Sequence, residues 1–383
     1  MAKLGKLITL HSRPTSSQHT IRKLITFRTT ASYKQCLSYM HANGIQPFRQ
    51  LPRSRMIGCH FIKHSSWKAI SRHPDIRLIE KDARIKVHAA YPVKRTSKSS
   101  KTNGSSMLSM VACPVNVTWN VCNVRAHEVW RKTLGSPIKV AVIDTGIAKH
   151  PDLQIAGGVN LVDGGSYVDD NGHGTHVAGI AAANGMNGIK GVAPDIKLYA
   201  VKALDHEGSG YVSDIVAAID WCIRNGMNII NMSFGITGGE SSGALHNIIK
   251  RATNKGIIVV ASAGNDGPSN KQIEQPASYS ETISVAASTR NNRIADTSSR
   301  GEGITLCAPG ENIRSTWLNG KYFTLTGTSM ASPHVTGGIA LLLSLQPDLR
   351  PSEVKAKLQQ WAMRLNDYPT TAQGSGLLQL NRI

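Results

Sequence analysis

Ser329 lies at the predicted start of a buried helix, a position that favours the negative charge formed when a hydroxyl acts as a nucleophile. The string GTSMASPHV (residues 327–335) follows a β-branched and aromatic segment at 322–325 and leads into an almost unbroken apolar run at 335–345. This order predicts a strand, a turn and then a core helix with Ser329 in its first turn. The unpaired N–H groups of that turn favour negative charge beside the hydroxyl. Taken alone, the segment would also fit an ordinary Ser/Thr helix cap.

Two further segments supply the partners that such a serine needs. In KVAVIDTG (139–146), Asp144 ends a short apolar run, so we expect it at the carboxyl end of a buried strand. In NGHGTHVAG (171–179), His173 precedes a helix of small residues. A histidine base needs a carboxylate to orient its ring, and a serine needs that base to accept its proton. The three segments together predict an Asp-His-Ser relay.

Each segment alone fits another site. Asp144-Thr145-Gly146 matches an aspartic protease loop, but that chemistry needs a second facing carboxylate, and the sequence has no second DTG-like loop. His173 and His176 have the spacing of a zinc pair, yet no HExxH glutamate and no third ligand are evident. The Asp-His-Ser interpretation is therefore preferred.

In the order Asp, His, Ser, these motifs resemble those of the subtilisin-like serine peptidases. The resemblance covers about residues 115–381 and includes VAPDIKLYAVKAL (192–204) and NIINMSFG (228–235). It implies a serine endopeptidase acting on polypeptides, with Asp144 as the orienting acid, His173 as the general base and Ser329 as the nucleophile. The fold it implies is α/β, a doubly wound and mainly parallel sheet with helices on both faces.

The resemblance also assigns an oxyanion donor and the walls of a substrate groove. Asn265 follows the apolar segment 257–262 and resembles the side-chain donor of the oxyanion hole; the alternative is a turn residue before Asp266-Gly267. Glu274 aligns with the base of the primary pocket, where it would attract Lys or Arg, unless the short surrounding loop turns it to solvent. The remaining groove residues implied are Gly208, Ser209, Gly210, Ser233, Phe234, Gly235 and Gly264.

Structural calcium is common in this family and would be held by loop oxygens. Asp152 matches a family ligand, and ANGMNGI (183–189) resembles the binding loop, with Asn184 and Asn187 as candidates. The loop is one residue short, so a turn without metal is the alternative. No organic cofactor is expected.

The N-terminal part resembles the family's inhibitory prodomain, most closely in HPDIRLIEKD (73–82). Strands at 21–29, 56–62 and 76–87 and helices at 33–43 and 65–72 predict a small α+β, ferredoxin-like unit. The expected organisation is an extension at 1–20, the prodomain at 21–90, a cleavable linker at 91–112 and the peptidase domain at 113–383. The prodomain would act as an intramolecular inhibitor; the alternative is a separate small binding module.

The linker is rich in Ser and Lys and predicts a solvated segment. Self-cleavage is expected between about His88 and Met110, and His88–Ala89 and Lys94–Arg95 are the candidate bonds.

The net charge of +20 would fit a nucleic-acid-binding protein, but the excess is local. Residues 1–112 contain 21 Lys and Arg against 3 acids, a net +18, and the rest of the chain carries only +2. Because aromatic residues do not alternate with these cations, nucleic acid is not the expected partner.

The six cysteines show no dense disulfide framework, and only Cys113 and Cys122 are close enough in sequence to suggest a pair. No run of 18 apolar residues predicts a membrane span. The prodomain slightly favours secretion, and the alternative is the cytoplasm, which free cysteines and the lack of an apolar signal core favour. The expected state is a monomer.

Overall fold

The N-terminal part of the chain folds into an antiparallel sheet with helices packed on it. The structure is a computed structural model that describes residues 2–65, 67–88, 91–92, 113–114, 117–269 and 271–383. We call residues 2–82 the N-terminal unit; its five strands run in the order β1-β4-β2-β5, and β3 pairs with β4. The elements are α1 (Ala2–His11), β1 (Ser12–Arg13), β2 (Thr20–Phe27), α2 (Thr30–Ala42), β3 (Arg49–Leu51), β4 (Met56–Ile62), α3 (Lys68–Ser71) and β5 (Ile76–Lys81).

The rest of the chain is organised around a parallel sheet of seven strands in the order β16-β15-β14-β12-β8-β10-β9. Two three-stranded sheets, β11-β6-β13 and β17-β18-β7, lie outside it. The strands are β6 (Arg84–Val87), β7 (Tyr91–Pro92), β8 (Lys139–Asp144), β9 (Ile155–Asn160), β10 (Lys197–Lys202), β11 (Ser209–Tyr211), β12 (Ile229–Met232), β13 (Phe234–Ile236), β14 (Ile258–Ser262), β15 (Ile283–Ser288), β16 (Leu306–Pro309), β17 (Ile313–Thr316) and β18 (Tyr322–Thr326). The helices are α4 (Trp119–Asn123), α5 (Ala126–Val129), α6 (His173–Ala182), α7 (Val212–Arg224), α8 (Gly243–Thr253), α9 (Thr328–Leu345), α10 (Pro351–Trp361) and α11 (Thr370–Gln373).

Helices cover both faces of the parallel sheet. Because side chains alternate along a strand, Val140 and Val142 of β8 pack in one core with α6, α9 and α10, whereas Ala141 and Ile143 pack in a second core with α7 and α8. The α/β architecture with helices on both faces is confirmed.

Strand β8 lies at the switch point of the sheet. From β8 the chain first builds β9 and β10 on one side and then continues with β12 and the later strands on the other side. A crevice forms at the carboxyl ends of the strands where the winding reverses. Asp144, the last residue of β8, lies at this edge.

Two carboxylates of the N-terminal unit cap helices of the parallel-sheet region. Glu80 Oε1 accepts a hydrogen bond from Ser242 Oγ at 2.6 Å, and Oε2 accepts one from the N–H of Gly243 at 2.9 Å, at the start of α8. Asp82 accepts hydrogen bonds from the N–H and the hydroxyl of Ser213, both at 2.9 Å, in the first turn of α7. Carboxylates are favourable at both places because helix N-termini expose unpaired N–H groups and carry partial positive charge.

The predicted strand at 76–87 is in fact two strands in different sheets. β5 stays with the N-terminal unit, and β6 pairs with β11 and β13 instead. Asp82 lies between the two strands in the chain, and its carboxylate binds the N-terminus of α7. This contact separates β5 from β6. The other strands and helices predicted for this region occur within a few residues of the expected positions. Among the residues described, no helix is both long and apolar enough to cross a bilayer.

Candidate active site

Asp144 and His173 form a buried hydrogen-bonded pair. β8 ends at Asp144 and α6 begins at His173, which follows Gly172 in a left-handed conformation with φ of 105°. The Nδ1 atom of His173 lies 2.8 Å from Oδ1 of Asp144. Since a carboxylate only accepts, Nδ1 donates, and the Nε2 atom is left free to act as a base. Burial by itself disfavours the imidazolium, but attraction and hydrogen bonding to Asp144 outweigh it and raise the pKa of His173 above its ordinary 6.5.

The loop before His173 is organised by Asp169, a residue that the sequence analysis missed. Its buried carboxylate accepts hydrogen bonds from the N–H of Gly172 at 3.0 Å, from the N–H and hydroxyl of Thr175, and from the hydroxyl of Thr145 at 2.8 Å. Thr145 Oγ1 in turn accepts from the N–H of Gly174 at 3.0 Å. This network ties the residue after Asp144 to the turn that carries His173. An acid three residues before a glycine is a usual turn signal and could have indicated the loop.

Ser329 is the second residue of α9 and is fully buried. Its hydroxyl donates a hydrogen bond to the carbonyl oxygen of Ser233 at 3.1 Å. The Nε2 atom of His173 is buried and has no hydrogen-bond partner among the described residues. A serine–histidine hydrogen bond is often loose or absent until substrate binds. The base is thus free, and the serine hydroxyl must leave the carbonyl of Ser233 to donate to it.

Asn265 and Thr328 are joined at the end of β14. The Oδ1 atom of Asn265 accepts hydrogen bonds from the N–H and the hydroxyl of Thr328, both at 2.9 Å. Because these donors hold the oxygen, the amide NH₂ group of Asn265 is oriented away from them. The NH₂ group lies close to the backbone of Gly327, where a Cβ atom would sit 2.7 Å from Nδ2. Thr328 was not among the predicted site residues, because a threonine beside the serine carries no separate sequence signal.

The predicted groove walls enclose a segment of the same chain. β6 lies between β11 and β13 and is antiparallel to both. In this register Lys86 is opposite Ser209 and Gly235, and the N–H of Val87 donates to the carbonyl of Gly208 at 2.9 Å. Five of the six wall residues expected from sequence therefore lie along the two edges of β6; they are Gly208, Ser209, Gly210, Phe234 and Gly235. The sixth, Ser233, contacts Ser329 through its carbonyl oxygen.

His88, the residue after β6, places its side chain against Glu274. The Nε2 atom of His88 lies 3.2 Å from Oε2 of Glu274, and its Nδ1 atom lies 2.8 Å from the hydroxyl of Ser262. Glu274 therefore contacts His88 of the same chain instead of pointing only to solvent. Gly264 completes this region, since a Cβ atom there would lie 3.4 Å from Oε1 of Glu274.

A second segment of the chain, β7, pairs with the strand that precedes Ser329. Tyr91 and Pro92 of β7 pair antiparallel with Thr326 and Leu325 of β18, the strand that leads to Ser329. Strand pairing is thus present on both sides of residues 89 and 90 in the chain, through β6 before them and β7 after them. The candidate bond Lys94–Arg95 lies outside the described residues.

Comparison with known proteins agrees with this geometry. A profile of the subtilase family matches residues 135–378. The chain belongs to the subtilase family. It is 38% identical over 318 residues to a thermostable alkaline protease of Halalkalibacterium halodurans, covering 82% of this chain and 79% of that protein. It is also 46% identical over 251 residues to Subtilisin DY of Bacillus licheniformis and 43% identical over 266 residues to Subtilisin Savinase of Lederbergia lenta, covering 64% and 69% of this chain and 90% and 97% of those proteins. This subtilase is a serine endopeptidase that works through an Asp-His-Ser triad.

The loop expected to bind calcium in this subtilase is closed by hydrogen bonds. Oδ1 of the fully buried Asp152 accepts from the N–H of Asn187 at 2.6 Å, and Oδ2 accepts from the N–H of Ile189 at 3.2 Å and the hydroxyl of Tyr322 at 2.6 Å. The side-chain oxygen of Asn184 accepts from the N–H of Met186. N–H and O–H groups thus take three of the roughly four acceptor positions of the Asp152 carboxylate, which leaves it little capacity to bind calcium. Among the described residues there is also no group of three His, Cys, Asp or Glu side chains that could hold a metal.

The cysteines of this subtilase fall into two groups. Cys113 and Cys122 form a disulfide, and Cys36, Cys59, Cys222 and Cys307 are free and buried. Burial raises the pKa of the Cys36 thiol to about 12, so this thiol is unreactive at neutral pH.

Proposed function

We propose that Ser329 is the nucleophile of the triad, His173 its general base and Asp144 the acid that orients the base. His173 Nε2 takes the proton of Ser329 as the oxygen attacks the carbonyl carbon of the peptide bond. The resulting imidazolium is stabilised by Asp144 through Nδ1–H. His173 then gives the proton to the leaving amine, and water repeats the sequence on the acyl-enzyme. The observation that carries this proposal is the hydrogen bond between His173 Nδ1 and Asp144, which leaves Nε2 as the free base.

The negative charge of the tetrahedral intermediate needs donors fixed in advance. We assign this role to the amide NH₂ group of Asn265 and the backbone N–H of Ser329 at the start of α9. The hydrogen bonds from Thr328 to Asn265 Oδ1 support the assignment, because they orient the amide before substrate arrives. Preorganised donors of this kind stabilise the transition state without a cost of reorientation.

The chain is proposed to be a zymogen that is inhibited by its N-terminal unit together with β6, the strand that follows this unit. β6 takes the place of an extended peptide substrate between β11 and β13, with Gly208–Gly210 on one edge and Phe234–Gly235 on the other. Pairing through the backbone suits polypeptide substrates of varied sequence. Since His88 directly follows the paired segment, which ends at Val87, and pairing resumes at Tyr91 of β7, we propose His88–Ala89 as the first bond cut. Ala89 itself lies outside the described residues.

Calcium is not assigned a role in this mechanism. The calcium site expected from the family would use Asp152, Asn184 and Asn187, and the oxygen atoms of Asp152 and Asn184 accept hydrogen bonds within the loop. We infer that these hydrogen bonds hold the loop in the place of a cation.

The test is a fluorophosphonate label combined with intact-mass analysis of the purified chain. The expected result is one label at Ser329 after processing and a cut after His88, with neither event in Ser329→Ala. The matched control is Ser344→Ala on the same helix, which should label and cut normally. A label that persists in Ser329→Ala would overturn the assignment of the nucleophile.

A further inference from the structure

The ring of His88 is recognised at both nitrogen atoms. Glu274 lies at Nε2 and Ser262 lies at Nδ1, at 3.2 Å and 2.8 Å. Ser262 is the last residue of β14 and is fully buried, whereas the Glu274 side chain is 24% exposed at the mouth of the pocket. The pocket thus has a hydroxyl inside and a carboxylate at its opening.

Two glycines leave room for this pair of side chains. A Cβ atom on Gly235 would overlap the Glu274 carboxylate and would lie 2.7 Å from Nε2 of His88. Gly264 has φ of 117°, which favours glycine, and a Cβ there would lie 2.7 Å from Ser299 Oγ. The Glu274 carboxylate therefore packs against the backbone of Gly235, and any larger residue at position 235 would displace it.

For a neutral imidazole ring, the two contacts fix the direction of the hydrogen bonds. An ionised Glu274 can only accept, so Nε2 must donate. In neutral imidazole the other nitrogen is then an acceptor, and the hydroxyl of Ser262 donates to Nδ1. The imidazole ring thus gives a hydrogen-bond donor to the Glu274 carboxylate and an acceptor to the Ser262 hydroxyl. Lys and Arg donate to a carboxylate but offer no acceptor for the buried hydroxyl, and Phe offers neither.

We propose that this enzyme selects histidine at the residue before the scissile bond, and that Ser262 and Glu274 are its specificity-determining residues. The proposal rests on the proposed function of Ser329. It differs from simple attraction of basic residues, because a buried hydroxyl left unpaired opposes Lys and Arg as well as Phe. The first bond cut, after His88, is then the enzyme's own preferred substrate.

The experiment measures kcat/KM of the processed enzyme for peptides that differ only in this residue, as His, Gln, Lys, Arg or Phe. The His peptide is expected to be cleaved about tenfold or more faster than the Lys, Arg and Phe peptides, since each hydrogen bond contributes about a factor of five to ten. Gln, which has one donor and one acceptor group, should fall between. A preference for Lys, Arg or Phe over His would overturn the proposal.

Variants of the pocket test its two residues separately. Ser262→Ala should lower kcat/KM for the His peptide about tenfold and leave the Phe peptide unchanged or improved. Glu274→Gln should likewise reduce the preference for His over Phe. The matched controls are Ser284→Ala, a buried serine whose hydroxyl has no partner among the described residues, and Glu302→Gln, an exposed carboxylate at the border of the cavity next to Glu274. Both controls should keep the wild-type preference.

A second readout uses the full chain. His88→Phe should slow the first cut about tenfold when Ser262 and Glu274 are unchanged. Combining His88→Phe with Ser262→Ala should restore part of the rate of this cut. An unchanged ratio of His to Phe cleavage in Ser262→Ala would overturn the role of this serine. A wild-type chain that neither reacts with the fluorophosphonate nor cleaves any of the peptides would instead overturn the proposed function of Ser329.

Discussion

His173 Nδ1 lies 2.8 Å from Asp144 Oδ1, and this contact raises the pKa of the imidazole against the effect of burial. The neutral ring is the active form, so kcat/KM should fall as the pH decreases through this raised pKa. Asp144→Asn removes the attraction and leaves burial, which lowers the pKa. We therefore expect the acid limb to move to lower pH, with a loss of about 10⁴-fold in maximal rate.

The measurement is the pH dependence of kcat/KM for a fluorogenic peptide in the processed enzymes. Asp170→Asn serves as the control, because the half-exposed Asp170 pairs with Lys202 and not with His173. An acid limb that stays in place in Asp144→Asn would contradict the assigned pair.

Thr328→Val should impair turnover through Asn265. The variant keeps the shape of the side chain but loses the hydrogen bond to Asn265 Oδ1. The expected loss is about tenfold in kcat with KM unchanged, compared with about 100- to 1000-fold for Asn265→Ala. Thr336→Val on the same helix is the control, since its hydroxyl bonds to Asn231. If Thr328→Val raised KM and left kcat alone, its role would be in substrate binding instead.

The triad could be placed from sequence because each residue adjoins a strong local pattern. Asp144 ends an apolar run and Ser329 begins one, so their positions at the ends of β8 and α9 follow from patterning. Asp169 and Thr328 could not be placed in this way, because their partners are backbone and side-chain groups brought together only by the fold.

The break between β5 and β6 has a similar origin. Residues 76–87 suggest one continuous strand, but Asp82 binds the N-terminus of α7, which is 130 residues later in the chain. Ser262 was overlooked for the same reason, since its contact with His88 joins β14 to the end of the N-terminal region. Local patterns contain no information on such distant contacts.

Asp82→Ala should weaken the attachment of the N-terminal unit. It removes an acceptor from both donors of Ser213 at the start of α7 and also removes the buried partner of Arg22. The loss in the free energy of unfolding should therefore exceed the loss of about 1–2 kcal/mol expected for a helix cap alone. The measurement is denaturant unfolding of the full chain in a Ser329→Ala background, which prevents cutting. Glu240→Ala is the control, because its ion pair with Lys81 is partly exposed and should contribute less than about 1 kcal/mol. Equal losses in the two variants would argue against the capping role.

The loop around Asp152 should be stable without calcium. Tyr322→Phe removes the hydroxyl that donates to Asp152 Oδ2 and is expected to lower the free energy of unfolding by about 1–3 kcal/mol, the range for a hydrogen bond to a charged group. Calorimetry with and without a calcium chelator should give the same Tm for the wild-type chain.

The stabilisation that Tyr322 gives to the same loop should depend on pH. Burial alone would raise the pKa of Asp152, but the hydrogen bond from Tyr322 and those from the N–H groups of Asn187 and Ile189 outweigh it and lower the pKa. A lowered pKa stabilises the fold at any pH above the carboxyl's unfolded value, and this contribution disappears as the pH falls through the folded value. Tyr322→Phe should therefore cost most near neutral pH and progressively less below about pH 4. A chelator that lowered Tm would show that a cation stabilises the chain, and a Tyr322→Phe variant as stable as wild type would show that this hydrogen bond does not hold the loop.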